Sequence, residues 1–423
     1  MGLIELRKSD RRIFKEAAEA NKAGMEAARA NGTGDDWVYE FQYNYWNAVA
    51  TAHEQGKKLI AIGAGFPTEI IYALDAVPFW LDLNGICISG FPSDCADFIE
   101  LAENYVPQTM CTIDRPNIGA MVAGMYEVPD CVFTVTGPCD SFRQLYSFAA
   151  KIFDVPIYWY DQPIERTDKT MRYVAEQYKD AIVQLEKITG NKLDMDKLRT
   201  CCRRTSEANA YIIALAELKK TKPCPVPSTM QVLIEYAPAV YGTQWFVDMV
   251  RKQYEFAAAN VAAGVGVIPG GEKYRLMICQ NMIWNMLEVL EYLEKELGVV
   301  VVSGSFQGVE GMMIDETDMD SILYGLAARG FLQPMIANAG SYASDWIRQS
   351  VMIARDWKID GALYLGHVGC KHTWAAARIL YDALMKQCGI KTLELDVDAI
   401  DRRYQNSEDV MATIKEFVDT LED

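Results

Sequence analysis

The usual close spacings of metal-binding residues are missing from this 423-residue chain: none of its eleven cysteines stands in CxxC or CxxxC, and no HExxH occurs. That argues against a zinc ribbon, a thioredoxin-type dithiol and a ferredoxin-type cluster. Any metal ligands must converge from distant stretches. GxSxG is absent, which argues against a Ser/His/Asp hydrolase. GxxxxGKS/T is absent too, so the chain is not expected to hydrolyse ATP itself. No apolar run approaches the roughly 20 residues that span a bilayer, and the start, MGLIELRKSDRR, lacks the apolar core of a signal peptide. Basic residues are in deficit, 41 Lys and Arg against 58 Asp and Glu, and the net charge of −17 repels nucleic acid and anionic membranes. The expectation is a cytoplasmic protein, with no nucleic-acid or membrane partner, whose cysteines are thiols.

What is present is the patterning of an α/β protein. Residues 1–50 read as helical. From 51 to 165, short apolar runs alternate with helical stretches: strands at Lys58–Gly63, Pro78–Leu83, Cys131–Val135 and Val155–Tyr160, with helices at Thr68–Leu74, Asp94–Glu103, 116–125 and 141–153. Residues 166–270 are charged and helix-periodic, a connecting region broken by Pro223, Pro225 and Pro227. The alternation resumes over 271–423, with strands at 274–279, Val299–Val302, Ala362–Leu365 and Thr392–Val397 and helices at 281–297, Trp346–Trp357 and 374–387. The fold expected is two Rossmann- or flavodoxin-like parallel-sheet domains with helical N-terminal and connecting segments.

The two α/β halves echo one another. Cys139 follows a strand and precedes a helix, and Cys370 does the same in the second half. Ligands of open parallel sheets bind at the carboxyl ends of the strands, and a helix N-terminus favours a thiolate. Cys111, shortly before a helix with Pro116 in its first turn, is the natural third member. Three thiolates suit iron–sulfur or zinc better than a hard cation. Composition by itself favours the plainer alternative of three unrelated buried cysteines. Of the other thiols, Cys87 and Cys95 lie near Cys111 in sequence, and Cys131 begins a strand, which points its side chain to the core. The chain has only three histidines, and two of them, His367 and His372, flank Cys370 in GHVGCKHTW. They are candidates for proton transfer, or else turn residues bonded to backbone. Arg115 and Arg143 are candidates for binding phosphate, or else members of ordinary ion pairs.

The segments MCTIDRPNIGAM, TGPCDSFRQLY and GHVGCKHTWAAARILYDAL resemble the cysteine segments of the 2-hydroxyacyl-CoA dehydratase/benzoyl-CoA reductase family, and GEKYRL, IKTLELDVDAIDRRY and IKEFVDTLE extend the resemblance over most of residues 40–423. The resemblance implies that Cys111, Cys139 and Cys370 hold a [4Fe–4S] cluster at a domain interface, with the fourth iron open. It implies a second family subunit, unlike or identical, and a separate ATP-hydrolysing iron–sulfur activator that injects one electron at low potential. In dehydratases that electron makes a ketyl radical of an (R)-2-hydroxyacyl-CoA, whose hydroxyl then leaves. In benzoyl-CoA reductases an aromatic ring is reduced. A homodimeric branch of small-molecule reductases holds a larger double-cubane cluster. Where dehydratases tend to carry a serine after the first strand this chain has Ala64, and GHVG precedes Cys370 where several relatives have an Asn-Arg-Ser type sequence. The exact reaction stays open between dehydration, ring reduction and a small-molecule reductase.

Overall fold

The computed structural model describes residues 7–90, 92–304 and 313–422. The apolar runs become two four-stranded parallel sheets. The first contains β1 (Leu59–Ile62), β2 (Val77–Trp80), β3 (Cys131–Val135) and β4 (Ile157–Tyr160), in the order β2-β1-β3-β4. The second contains β5 (Tyr274–Ile278), β6 (Val299–Gly304), β7 (Gly361–His367) and β8 (Lys391–Val397), in the order β6-β5-β7-β8. Both sheets therefore share one strand order, as two Rossmann- or flavodoxin-like halves require. In each, the order reverses between the first and third strands, where Ile60 pairs with Cys131 and Leu276 with Gly361.

The inner strands β1, β3 and β7 are buried along their length, which explains why they read as largely apolar runs. Alternate side chains of the second sheet still go to opposite faces. Met277, Val300, Val302, Ala362 and Tyr364 enter one core. Leu276, Ile278, Val299, Val301, Leu363 and Leu365 enter another.

The N-terminal segment forms helices Ile13–Asn31 and Asp36–Thr51, and residues 1–6 of the expected helical stretch lie outside the described residues. Phe14 stacks on Trp46 at 5.8 Å, and both are buried against the first sheet. The connecting region forms helices Asp168–Thr189, Met195–Lys219 and Gln244–Ala263. Most of their buried residues join the first core, but Leu215, Ala216 and Ala257 join the second. Helix Met319–Leu332 also packs into the first core, through Ile322, Leu323, Leu326 and Phe331, and its Arg329 meets the buried Glu69 at 2.8 Å. Among the described residues no helix is long and apolar enough to cross a membrane.

Two local expectations need correction. The strand expected over Pro78–Leu83 ends at Trp80, and helix Leu81–Ile88 starts at once. Periodicity cannot separate a buried strand from a buried helix in so apolar a run. The helix expected over 281–297 begins only at Glu288. Before it, the Asn285 N–H donates to Ala399 O and its Nδ2 to Asp398 O, so this loop finds its partners after β8 and not within a helix.

Candidate functional site

The two halves meet at the carboxyl ends of their strands. After β3, the turn through Pro138 makes Cys139 the N-cap of helix Asp140–Phe153, where its Sγ accepts from Phe142 N–H at 3.5 Å. After β7, the Cys370 N–H donates to His367 O at 2.8 Å, and Cys370 is the N-cap of helix Lys371–Cys388. Cys111 is held from both sides of its peptide. Its N–H donates to Ser141 Oγ at 3.1 Å, and its carbonyl accepts from Asp114 and Arg115 N–H at 3.1 Å each. Helix Arg115–Val122 follows, with Pro116 in its first turn.

Cys111, Cys139 and Cys370 line one cavity of about 190 Å³. Its wall takes residues that follow β1 (Ala64), β3 (Cys139), β5 (Gln280, Met282) and β7 (Cys370), so it lies over the reversal of strand order in both sheets. The thiols interact: Cys370 opposes ionisation of both Cys111 and Cys139. Among the described residues, no three His, Cys, Asp or Glu side chains are placed to hold a metal ion. The cavity, by contrast, is several times the roughly 30 Å³ share of a water molecule. The trio lines a space large enough for a group of several atoms.

At Cys111 and Cys139 the nearby helix termini do not make the thiol acidic. Burial, then the Asp114 carboxylate, push Cys111 well above the ordinary range, and the same two causes push Cys139 up to about 12. A thiolate here needs a cationic partner to reverse that balance, as a bound metal does.

The two histidines are placed differently. His372 is exposed on the cavity wall. His367 is wholly buried, 3.2 Å from Cys111 Sγ through Nε2, and burial lowers its pKa. The arginines are in ion pairs, Arg115 with Glu103 at 2.8 Å and Arg143 with Asp140, and neither lines the cavity. Cys87 contacts Tyr236 Oη, Cys95 faces Ile400 O and Cys131 sits in the core of β3. None of these three reaches the cavity wall.

Sequence reasoning missed the cavity's acids. Asp82, Asp114 and Glu235 all line it. Burial pushes Glu235 up to about 7. Burial raises Asp82 and Asp114 as well, and the charge of Asp82 adds to the rise at Asp114. Tyr146 Oη donates to Asp82 at 2.7 Å. Asp140, beside Cys139, lines the cavity as well; it and Asp114, three positions after Cys111, had a signal in their neighbourhood, while nothing marks Glu235 among 58 acidic residues. The apolar segment around Met282 and Trp284, expected as helix, forms cavity wall instead, and the Trp284 indole N–H is buried there without a partner among the described residues.

The family model described as 2-hydroxyglutaryl-CoA dehydratase, D-component, matches residues 64–421. The (R)-phenyllactyl-CoA dehydratase alpha subunit of Clostridium sporogenes is 25% identical over 368 residues, 83% of this chain and 86% of that one. A benzoyl-CoA reductase subunit of Thauera aromatica is 24% identical over 392 residues, 85% of this chain and 88% of that one. The (R)-2-hydroxyglutaryl-CoA dehydratase subunit alpha of Acidaminococcus fermentans is 23% identical over 308 residues, 70% of this chain and 61% of that one.

Proposed function

Because the chain belongs to the 2-hydroxyglutaryl-CoA dehydratase D-component family, we propose that it is the iron–sulfur subunit of a low-potential enzyme acting on acyl-CoA thioesters, with (R)-2-hydroxyacyl-CoA dehydration as its reaction. The observation that carries this reading is the meeting of Cys111, Cys139 and Cys370, from both halves, around one cavity. The donor set fits a [4Fe–4S] cluster: three soft ligands line one cavity, in a site where burial disfavours free thiolates at Cys111 and Cys139. Once bound, the cluster would supply a low-potential electron and an open iron to act as Lewis acid.

The protein's own groups do the rest. Met110, Met282, Trp80 and Trp284 give the cavity an apolar wall that keeps water from a reactive acyl group. Glu235, held near neutrality, can give or take a proton at that wall. His372, exposed at the rim, can pass one to solvent. The partners in this reading are a second family subunit and an ATP-hydrolysing iron–sulfur activator. Relatives named as alpha subunits support the first of these.

Ring reduction is the second reading. Ala64 puts a methyl group, not a hydroxyl, on the cavity wall, and one relative is a benzoyl-CoA reductase subunit. A double-cubane cluster finds three cysteines on this cavity among the described residues and would draw further ligands from elsewhere. The test is anaerobic purification with iron and acid-labile sulfide measured per chain. About four irons match the proposal, about twice that match the larger cluster, and none refutes both. Thermal shifts with 2-hydroxyacyl-CoA and benzoyl-CoA esters then separate the two substrate classes.

A further inference from the structure

His367 touches two of the three cysteines without lining the cavity. Its carbonyl accepts from Cys370 N–H at 2.8 Å, and its Nε2 lies 3.2 Å from Cys111 Sγ. The ring's tautomer is fixed from the other side. The backbone N–H of Ala399 points at Nδ1 from 3.2 Å, so Nδ1 presents a lone pair and the ring proton sits on Nε2. On the Nε2 side the other acceptor is Thr112 Oγ1 at 3.4 Å, too long for a good N–H···O bond, and on the Nδ1 side Asp398 Oδ1 stands at 3.9 Å, beyond hydrogen-bond reach. The Thr112 hydroxyl proton is itself committed to Asp398, 2.8 Å from both carboxylate oxygens. Asp398 is pinned in turn by Ile400 N–H at 2.9 Å and Asp401 N–H at 2.8 Å. The His367 N–H donates to Gln280 Oε1 at 2.8 Å, which holds the backbone that carries the ring.

From this geometry we infer that His367 is a positioning residue that donates Nε2–H to the sulfur of Cys111 and so sets the reduction potential of the cluster held by that sulfur. The inference rests on the cluster reading above. A hydrogen bond to a ligand sulfur withdraws electron density and stabilises the reduced, more negative cluster, which raises the potential. The role differs from proton shuttling: the ring is wholly buried, and its proton is held against one sulfur.

The test uses the anaerobic protein as purified, with its potential followed by a redox titration of the cluster's EPR signal. His367→Leu, which removes the donor at similar volume, is expected to shift the potential downward with iron per chain unchanged. His367→Gln, whose amide N–H can reach the place of Nε2, is expected to restore part of the shift. Equal potentials in all three proteins, each carrying iron, overturn the inference. Should the Leu variant lose iron or unfold, nitrogen-15 labelling of the parent protein decides, since its three histidines are readily told apart. A buried histidine protonated at Nε2 supports the inference, and one protonated at Nδ1 overturns it. A parent protein without iron refutes the cluster reading itself, an outcome separate from any of these.

Discussion

Gln280 and Thr373 are joined across the second half of the molecule: Gln280 Nε2 donates to Thr373 Oγ1 at 2.9 Å, while Gln280 Oε1 accepts from the His367 N–H. One side chain just past β5 thereby fixes both the end of β7 and the first turn of the helix that Cys370 caps. Gln280→Leu leaves the buried His367 N–H without its acceptor and takes from the Thr373 hydroxyl one of its two bonds, the other being to Cys370 O at 3.4 Å. We expect a loss of about 2–3 kcal/mol, seen as a lower denaturant midpoint, together with weaker retention of iron. A variant with unchanged midpoint and iron would show that the bridge holds nothing in place.

The three cavity cysteines should behave as a set. Cys111→Ala, Cys139→Ala and Cys370→Ala are each expected to lose most bound iron. Cys131→Ala removes a thiol from the core of β3 and should cost about 1 kcal/mol while keeping its iron. Full iron in any of the first three variants removes that residue from the ligand set.

Gly369 packs the turn before Cys370 against the backbone of Cys111. A Cβ there would lie 2.9 Å from His367 Nε2 and 3.1 Å from Cys111 Cα. The second of these is backbone and cannot rotate away. Gly369→Ala should therefore push the Cys111 loop outward, cost about 1–3 kcal/mol, and speed iron loss to a chelator. Chelation at the parent rate would mean that the loops have slack.

Glu235 gives a pH dependence of defined sign. Its carboxyl is raised from 4.5 to about 7 by burial, so the folded state holds its proton more tightly than the unfolded state does. Its ionisation costs nothing below about pH 4.5, and the cost grows until pH passes about 7. Glu235→Gln should gain stability over the parent as pH rises from 5 to 8, on the order of 1–2 kcal/mol after allowing for partial exposure. Thermal midpoints at three pH values check this; a constant gap between the two proteins contradicts it.

Arg275 is wholly buried against Glu272 at 2.6 Å, and it also donates to the carbonyls of Lys219, Thr221 and Trp357. This ties the end of the connecting region to β5. Glu272→Ala strands a buried charge and should cost about 3–5 kcal/mol, far more than loss of the exposed pair Lys415–Asp419. Chemical denaturation of the two variants measures the contrast.

Much of this was legible in the chain itself. Runs such as CVFTV are mostly apolar because parallel strands are buried on both faces. Cysteine between such a run and a helical stretch marks the carboxyl end of a strand, so Cys139 and Cys370 could be placed by local pattern alone. Two features escaped for physical reasons. The residues after β5 form a loop and not a helix, and Asn285 there takes its hydrogen-bond partners more than a hundred positions away, at Asp398 and Ala399. Glu235 lies on the cavity wall through the packing of a connecting segment, and no spacing records that.

The sequence by itself determined the two sheets, their order of elements and the positions of two thiols, Cys139 and Cys370, at strand ends, because those follow from local periodicity. Only the tertiary structure decided that the thiols share one cavity, that its wall carries buried acids, and that His367 turns its Nε2 to Cys111. Such facts depend on how two halves pack, and packing joins residues by distance in space, which the order of residues along a chain does not encode locally.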